Sequence, residues 1–244
     1  MGFDISAIVT LHREGYMCKP SIESVKRAKA FAQKHGVNVE VILVFDKSDR
    51  LTEEVAKSLS VSTWGMYNVE FGDPGASRNF GVRQCSGKLV AFLDADDLWG
   101  ENWLASCVSA ARDSIKRIVW HPEVNIYFGA ASHVFYHIDM ESINFDLLDL
   151  SFGNLWTALC CAERDLLMEV PIPATDFANK IGHEDWSWNL QVIELGVLHK
   201  TIPYTGHAIR VKRGGVSQLQ AANRANVVPT ATYAYRRLLK LRVK

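Results

Sequence analysis

Three carboxylates crowd the end of one apolar run: Val90-Ala91-Phe92-Leu93 is followed at once by Asp94, Asp96 and Asp97. On an extended backbone alternate side chains leave from the same face, so Asp94 and Asp96 can converge on one cation. Hard oxygen ligands of this kind suit Mg²⁺ or Mn²⁺, and Mg²⁺ is usually held by one or two carboxylates together with substrate phosphates. The chemistry predicted here is a metal-bound phosphate. An acid-rich helix cap would account for Asp97 but not for Asp94 and Asp96. A calcium EF-hand loop is excluded, because Leu98 and Trp99 stand where an acid and the required glycine would be. A second pair, Glu184-Asp185, opens a helical stretch; taken alone, a carboxylate there is a helix-dipole partner worth ~0.3–1 kcal/mol. Arg78, in the first turn of another helix, could meet a diphosphate through charge-assisted hydrogen bonds.

These residues can meet only if the elements carrying them share an edge. Ile5 to Thr10, rich in Ile, Val and Ala, reads as a central strand covered on both faces. Pro20-Ser21 opens a helix with Ile22, Val25, Ala28, Phe31 and Ala32 on one side, and Gly36 caps it. Val39 to Phe45 is a second strand, Leu51, Val55 and Leu59 mark a short helix, and Tyr67 to Phe71 is a third strand. Gly72-Asp73-Pro74-Gly75 is a turn that launches a helix over Ala76 to Cys85. The fourth strand then ends at Asp94. This βαβαβ alternation predicts a doubly wound, mostly parallel sheet with right-handed crossovers, whose ligands bind at the carboxyl ends of the strands. A helix follows over Asn102 to Ile115. Phe135 to Leu159 is dense in aromatics and histidines without clear period, as in a mixed region. His121, His133 and His137 read as core or interface histidines.

The chain has 244 residues, 48% of them hydrophobic and 22% charged, which suits one large globular domain. Lys plus Arg equal Asp plus Glu at 27 each, so no overall field favours nucleic acid, and the substrate must be recognised locally. Cys18, Cys85, Cys107, Cys160 and Cys161 form an odd set without CxxC spacing, against a disulfide framework or a zinc site. No apolar run approaches the ~20 residues that cross a bilayer, and no signal sequence is evident, so the expected location is cytoplasmic.

Leu93 to Asp97, with Gly75-Ala76-Ser77-Arg78-Asn79 before it and Gly182-His183-Glu184-Asp185-Trp186 after it, resembles the inverting family 2 glycosyltransferases of GT-A fold. The resemblance spans roughly residues 4–215. It implies a Rossmann-like, mostly parallel central sheet flanked by helices, with a mixed acceptor-side region. Residues 1–217 would form this domain, 1–99 holding the nucleotide and 100–217 the acceptor and catalytic groups. By the same resemblance Asp185, with Glu184, is the catalytic base. Asp96 is the main ligand of Mn²⁺ or Mg²⁺, Asp94 approaches the ribose or shares the metal, and His207 is a possible further ligand. Thr10, His12 and Glu14 lie where the family holds base and ribose, and Arg78 sits beside the diphosphate. Asp46 would accept a hydrogen bond from a pyrimidine imide N–H. Here the sequence departs from the family: Phe45-Asp46-Lys47-Ser48 replaces Asp-Asp-Gly-Ser, and a turn-forming role for Asp46 is the alternative. Asp97, Trp156 and Trp186 are candidates for contact with donor or acceptor sugar, with core packing an equal reading of Trp156. Arg213, before Gly214-Gly215-Val216-Ser217, could add charge over the diphosphate.

The implied activity is metal-dependent sugar transfer with inversion from a nucleoside diphosphate, UDP foremost, to a glycan or lipid-linked acceptor, in bacterial surface polysaccharide or glycan synthesis. Two other classes remain open: a nucleotidyltransferase, and a non-catalytic sugar-nucleotide or glycan-binding module. Residues 218–244 form a basic amphipathic tail, with Tyr233, Leu238, Leu239 and Val243 among Arg236, Arg237, Lys240, Arg242 and Lys244. Such a tail could touch the inner face of a membrane, lead into a further domain, or pack back.

Overall fold

The computed structural model describes residues 2–212 and Val227. The expected tail contact with a membrane and the contribution of Arg213 fall outside the described residues. In chain order the strands are β1 (Ile5–Leu11), β2 (Val39–Asp46), β3 (Gly65–Val69), β4 (Leu89–Asp94), β5 (Leu98–Trp99), β6 (Ile118–Gly129), β7 (His133–Tyr136), β8 (Cys161–Glu163) and β9 (Leu198–Val211). The helices are α1 (Cys18–Lys34), α2 (Arg50–Leu59), α3 (Pro74–Gln84), α4 (Trp103–Arg112), α5 (Arg164–Glu169) and α6 (Glu184–Glu194).

One sheet carries all nine strands in the order β3-β2-β1-β4-β8-β6-β9-β5, with β7 paired to β6. β3, β2, β1 and β4 run parallel, joined by α1, α2 and α3, as the alternation predicts. At β8 the direction changes: β8 is antiparallel to both β4 and β6, whereas β9 runs parallel to β6. The expected mixed region is this second half of the same sheet.

Side chains of the parallel strands alternate between two apolar layers. Ile5, Ala7 and Val9 of β1, with Val41 and Leu43 of β2 and Ala91 and Leu93 of β4, pack under Ile22, Val25 and Ala28 of α1 and Leu104 and Val108 of α4. Ile8, Ile42, Val44, Val90 and Phe92 face the other way, onto Val82 of α3, Leu166 and Leu167 of α5, and Trp188 and Val192 of α6. Burial on both faces explains why these strands read as continuous apolar runs.

Some boundaries differ from the sequence reading. β3 lies two residues earlier than Tyr67 to Phe71, because the chain turns at Gly72, whose φ of +65° favours glycine and whose N–H donates to Asp46. α1 begins at Cys18, before Pro20, continuing a 3₁₀ turn at Gly15–Met17. α3 begins at Pro74, capped by Asp73, which accepts from the Ala76 N–H at 2.7 Å. All five cysteines are free and buried.

Candidate active site

β1 and β4 are in register at Thr10 and Asp94, so their carboxyl ends open together beside that of β2. The crevice there measures about 310 Å³, and Thr10, His12, Glu14, Asp46, Arg78, Asp94, Asp96, Glu184 and Lys212 line it. A larger hollow, about 550 Å³, opens at the opposite edge of the sheet between Asp4, Lys88, Arg112 and Glu163. The smaller crevice is the candidate site, since it holds Asp94 and Asp96 and the strand ends where such sheets bind ligands.

Arg78 binds its two halves together. Its Nη2 donates to both oxygens of Asp94, at 2.9 and 3.0 Å, and its Nη1 to Glu184 Oε1 at 3.3 Å. The arginine is only 2% exposed, so its charge needs these partners. Thr10 Oγ1 donates to Asp94 at 2.8 Å. Asp94 thus belongs to a protein-held network, and Asp96 presents the freer carboxylate. Asp96 faces the Lys212 ammonium at 2.7 Å as β9 ends.

These residues fit a divalent ion of the hard class. Asp96 supplies a hard carboxylate, balanced by the Lys212 ammonium that a bound cation would displace, and the rest of an Mg²⁺ or Mn²⁺ shell is ordinarily phosphate and water. Among the described residues no cluster of three His, Cys, Asp or Glu side chains forms a complete cage.

At the other end of the crevice His12 Nδ1 lies 2.6 Å from the Asp46 carbonyl oxygen; because that oxygen can only accept, Nδ1 carries the proton. Glu14 accepts from the His12 N–H at 2.7 Å, and burial pushes its pKa up. Asp46 is held from within the protein. Its carboxylate accepts from the N–H groups of Gly72 at 2.8 Å and Asp73 at 3.1 Å and from Ser77 Oγ at 2.7 Å. Three internal donors give it the turn-holding role that the sequence offered as the alternative, while it still lines the crevice.

α6 supplies the second acid pair. His183, in the left-handed conformation at φ +54°, turns the chain so that Glu184 and Asp185 fall in the first helical turn. Glu184 lies on Arg78. Asp185 accepts from the Trp186 N–H at 2.7 Å and from Asn154 Nδ2 at 3.0 Å. Burial, then the charge of Glu184, pushes the Asp185 pKa up to about 7.

Four sugar or metal candidates fall elsewhere. Asp97 turns onto β9, where it accepts from the Arg210 N–H at 2.6 Å, and burial followed by the charges of Asp94 and Asp96 pushes its pKa up to about 8. Trp156 is 1% exposed, sandwiched against His199 with ring centroids 4.2 Å apart, and donates to the Ile138 carbonyl oxygen, so it is core and not a sugar platform. Trp186 donates to the Leu150 carbonyl oxygen at 3.1 Å and packs with the same small cluster. His207 is no metal ligand: it is buried against Trp103, ring centroids 4.8 Å apart, on the side of β9 opposite to Arg210 and Lys212.

Lys212, Asn154 and Tyr127 were not singled out by the sequence. Tyr127 of β6, stacked on His133 with ring centroids 4.2 Å apart, has its pKa raised by burial and then by Asp97 and Asp185. None of the three sits in a motif.

The profile of glycosyl transferase family 2 matches residues 6–156, more than half of the chain. The chain belongs to this family. Over 101 residues it is 34% identical to an uncharacterized glycosyltransferase of Rickettsia bellii (strain RML369-C), covering 41% of this chain and 14% of that protein. Among solved structures, Staphylococcus aureus TarS 1–349 in complex with UDP-GlcNAc superposes with a TM-score of 0.64 at 16% identity, over 98% of this chain and 66% of that one. A mannosyltransferase of Pyrobaculum calidifontis, in complex with GDP-Man and Mn²⁺, gives 0.61 at 14% identity, over 88% and 59%. At these identities the structural likeness speaks for the fold, which is GT-A. The chain spans less than two thirds of each of these relatives' lengths.

Proposed function

We propose that this family 2 glycosyltransferase moves a sugar, with inversion, from a nucleoside diphosphate donor to an acceptor hydroxyl. The observation that carries the reading is the geometry at the start of α6: Glu184 is tied through Arg78 to Asp94 at the acidic end of β4, with Asp185 beside it held by Asn154 and the Trp186 N–H. Burial and the charge of Glu184 raise the Asp185 pKa, which suits a carboxylate to taking the proton of an alcohol.

The chain's own residues divide the work. Thr10, His12 and Glu14 bind the nucleoside end of the donor. Arg78 and Lys212 supply positive charge where the diphosphate departs, and Asp96, backed by Asp94, holds Mn²⁺ or Mg²⁺. That ion, when bound, stabilises the charge developing on the leaving group. Asp185 accepts the proton of the acceptor hydroxyl as its oxygen bonds to the anomeric carbon and the bond to the diphosphate breaks. One base acting on the face away from the leaving group gives direct displacement and inverted configuration, by the geometry that distinguishes inverting glycosidases.

The UDP-GlcNAc complex of the TarS neighbour supports a uridine diphosphate donor, and the Mn²⁺ of the Pyrobaculum calidifontis mannosyltransferase supports a divalent ion. The acceptor class is a glycan or lipid-linked saccharide, in bacterial surface polysaccharide synthesis, with the enzyme at the cytoplasmic face of the membrane. No described helix is long and apolar enough to cross a membrane. A nucleotidyltransferase is disfavoured, since His12-Arg13-Glu14-Gly15 after β1 is not a glycine-rich phosphate loop.

UDP release from a panel of UDP-sugars with Mn²⁺ tests the reading. Turnover that Asp185→Asn abolishes while UDP still binds supports it; near-normal turnover by that variant overturns the base, and UDP affinity indifferent to Mn²⁺ and to Asp96→Ala overturns the metal role.

A further inference from the structure

Asp185 and Glu184 are adjacent carboxylates with unlike partners. Glu184 meets the guanidinium of Arg78, whereas the side-chain donor to Asp185 is a neutral amide, Asn154 Nδ2 at 3.0 Å. Asn154 lies between the 3₁₀ turn Leu147–Ser151 and β8, outside every motif of the chain. Its orientation is fixed from behind. Asn154 Oδ1 accepts from Asn189 Nδ2 at 3.0 Å and from the Trp156 N–H at 3.4 Å, so the amide nitrogen is the atom left to face the carboxylate. Asn189 is 2% exposed and sits one helical turn beyond Asp185 on α6. Two points of α6 thus grip one amide, and that amide grips one oxygen of Asp185. The other oxygen is held by the Trp186 N–H.

We propose that Asn154 is a positioning residue that aims the Asp185 carboxylate at the acceptor hydroxyl, with Asn189 fixing Asn154 in turn. The inference rests on the reading of Asp185 as the base. An amide suits the task for a chemical reason. A cation in its place would stabilise the carboxylate so strongly that its basicity would fall, while a neutral donor fixes the rotamer and leaves the group able to take a proton. Other titratable groups around Asp185 are Glu184 and His183 at the start of α6, Arg78 from α3, Tyr127 from β6 and Cys160 before β8. None of them hydrogen-bonds the carboxylate, so Asn154 is the one side chain set to orient it among the described residues.

The test compares Asn154→Ala, the isosteric Asn154→Asp and Asp185→Asn in the full chain with two readouts: UDP release from UDP-GlcNAc with Mn²⁺ across pH, and the titration of the Asp185 carboxyl carbon by ¹³C NMR, assigned with Asp185→Asn. Losing one hydrogen bond to a charged group predicts a fall in kcat of about tenfold or more for Asn154→Ala, with donor KM within about twofold. The acidic limb of kcat and the carboxyl titration both move to higher pH, because the lost donor favoured the ionised form. Asn154→Asp keeps the packing volume and moves both further, since a carboxylate faces a carboxylate. An unchanged titration in both Asn154 variants overturns the proposal, whether or not UDP-GlcNAc is turned over. If Asp185→Asn abolishes turnover while Asn154→Ala keeps the wild-type pH profile, the positioning role fails and the base stands; if Asp185→Asn turns over normally, the base fails and the positioning role falls with it.

Discussion

The acidity of Asp185 makes opposite demands on activity and stability. Its pKa is raised to about 7, so the base is ionised, and turnover rises, as pH climbs through about 7. The same shift means that ionising this half-buried group weakens the fold: the stability associated with the protonated acid is present in full below about 3.8 and lost as pH rises from there through about 7. Asp185→Asn should therefore be inactive in UDP-sugar turnover, yet gain melting temperature relative to wild type above about pH 7, a gain that shrinks as pH falls towards about 3.8. Asp96→Ala should lose Mn²⁺-dependent UDP affinity in calorimetric titration by about tenfold, the scale of one charge-assisted contact. The acids themselves were legible in the sequence, because three carboxylates after an apolar run have few other uses. Asn154 and Tyr127 were not, because their chemistry arises from what they touch across the fold.

At the level of elements, α3 is the part on which the site depends, since it carries Arg78. The helix lies close on β1: a Cβ on Gly81 would come 2.6 Å from Ile8 Cγ2. Gly81→Ala should cost about 1–3 kcal/mol in chemical denaturation, the range of an overpacked core position. By lifting α3 from the sheet it should also lower turnover, through the arginine one helical turn earlier. The parallel half was readable because strands buried on both faces are apolar throughout, and helices between them keep a three-to-four period. The β6–β9 ribbon was not. Its pairing is between strands distant in sequence, it carries a bulge between Pro122 and Val124, and its inward faces hold His121, His199 and His207 instead of an aliphatic run.

Those histidines give the whole molecule its response to acid. His121, stacked on His199 and joined to it by a 2.9 Å hydrogen bond, lies within 5.3 Å of His137, centroid to centroid. Burial lowers the pKa of all three and of His207, to about 4 for His137 and about 3 for His199. Unfolded, each would take a proton near 6.5; folded, it resists. Stability is thus complete above about 6.5 and drains away as pH falls towards 4 and 3, the opposite sign to Asp185. Melting curves should shift down between neutral pH and about pH 5, and His207→Phe, which keeps an aromatic ring against Trp103, should blunt that shift. Neither the cluster nor its acid response could be read from the sequence, where the four histidines are scattered and follow no spacing.

β9 has one more consequence, for the order in which the molecule can assemble. It is the last described strand, yet it lies inside the sheet between β6 and β5, contacting β6 along almost its whole length. As the chain leaves the ribosome, β1 to β4 can pair with neighbours already made. β6 must wait, one flank bare, until residues 198–211 emerge. A nascent chain stalled short of that point would present an open strand edge in its middle, where chaperones bind and aggregation starts.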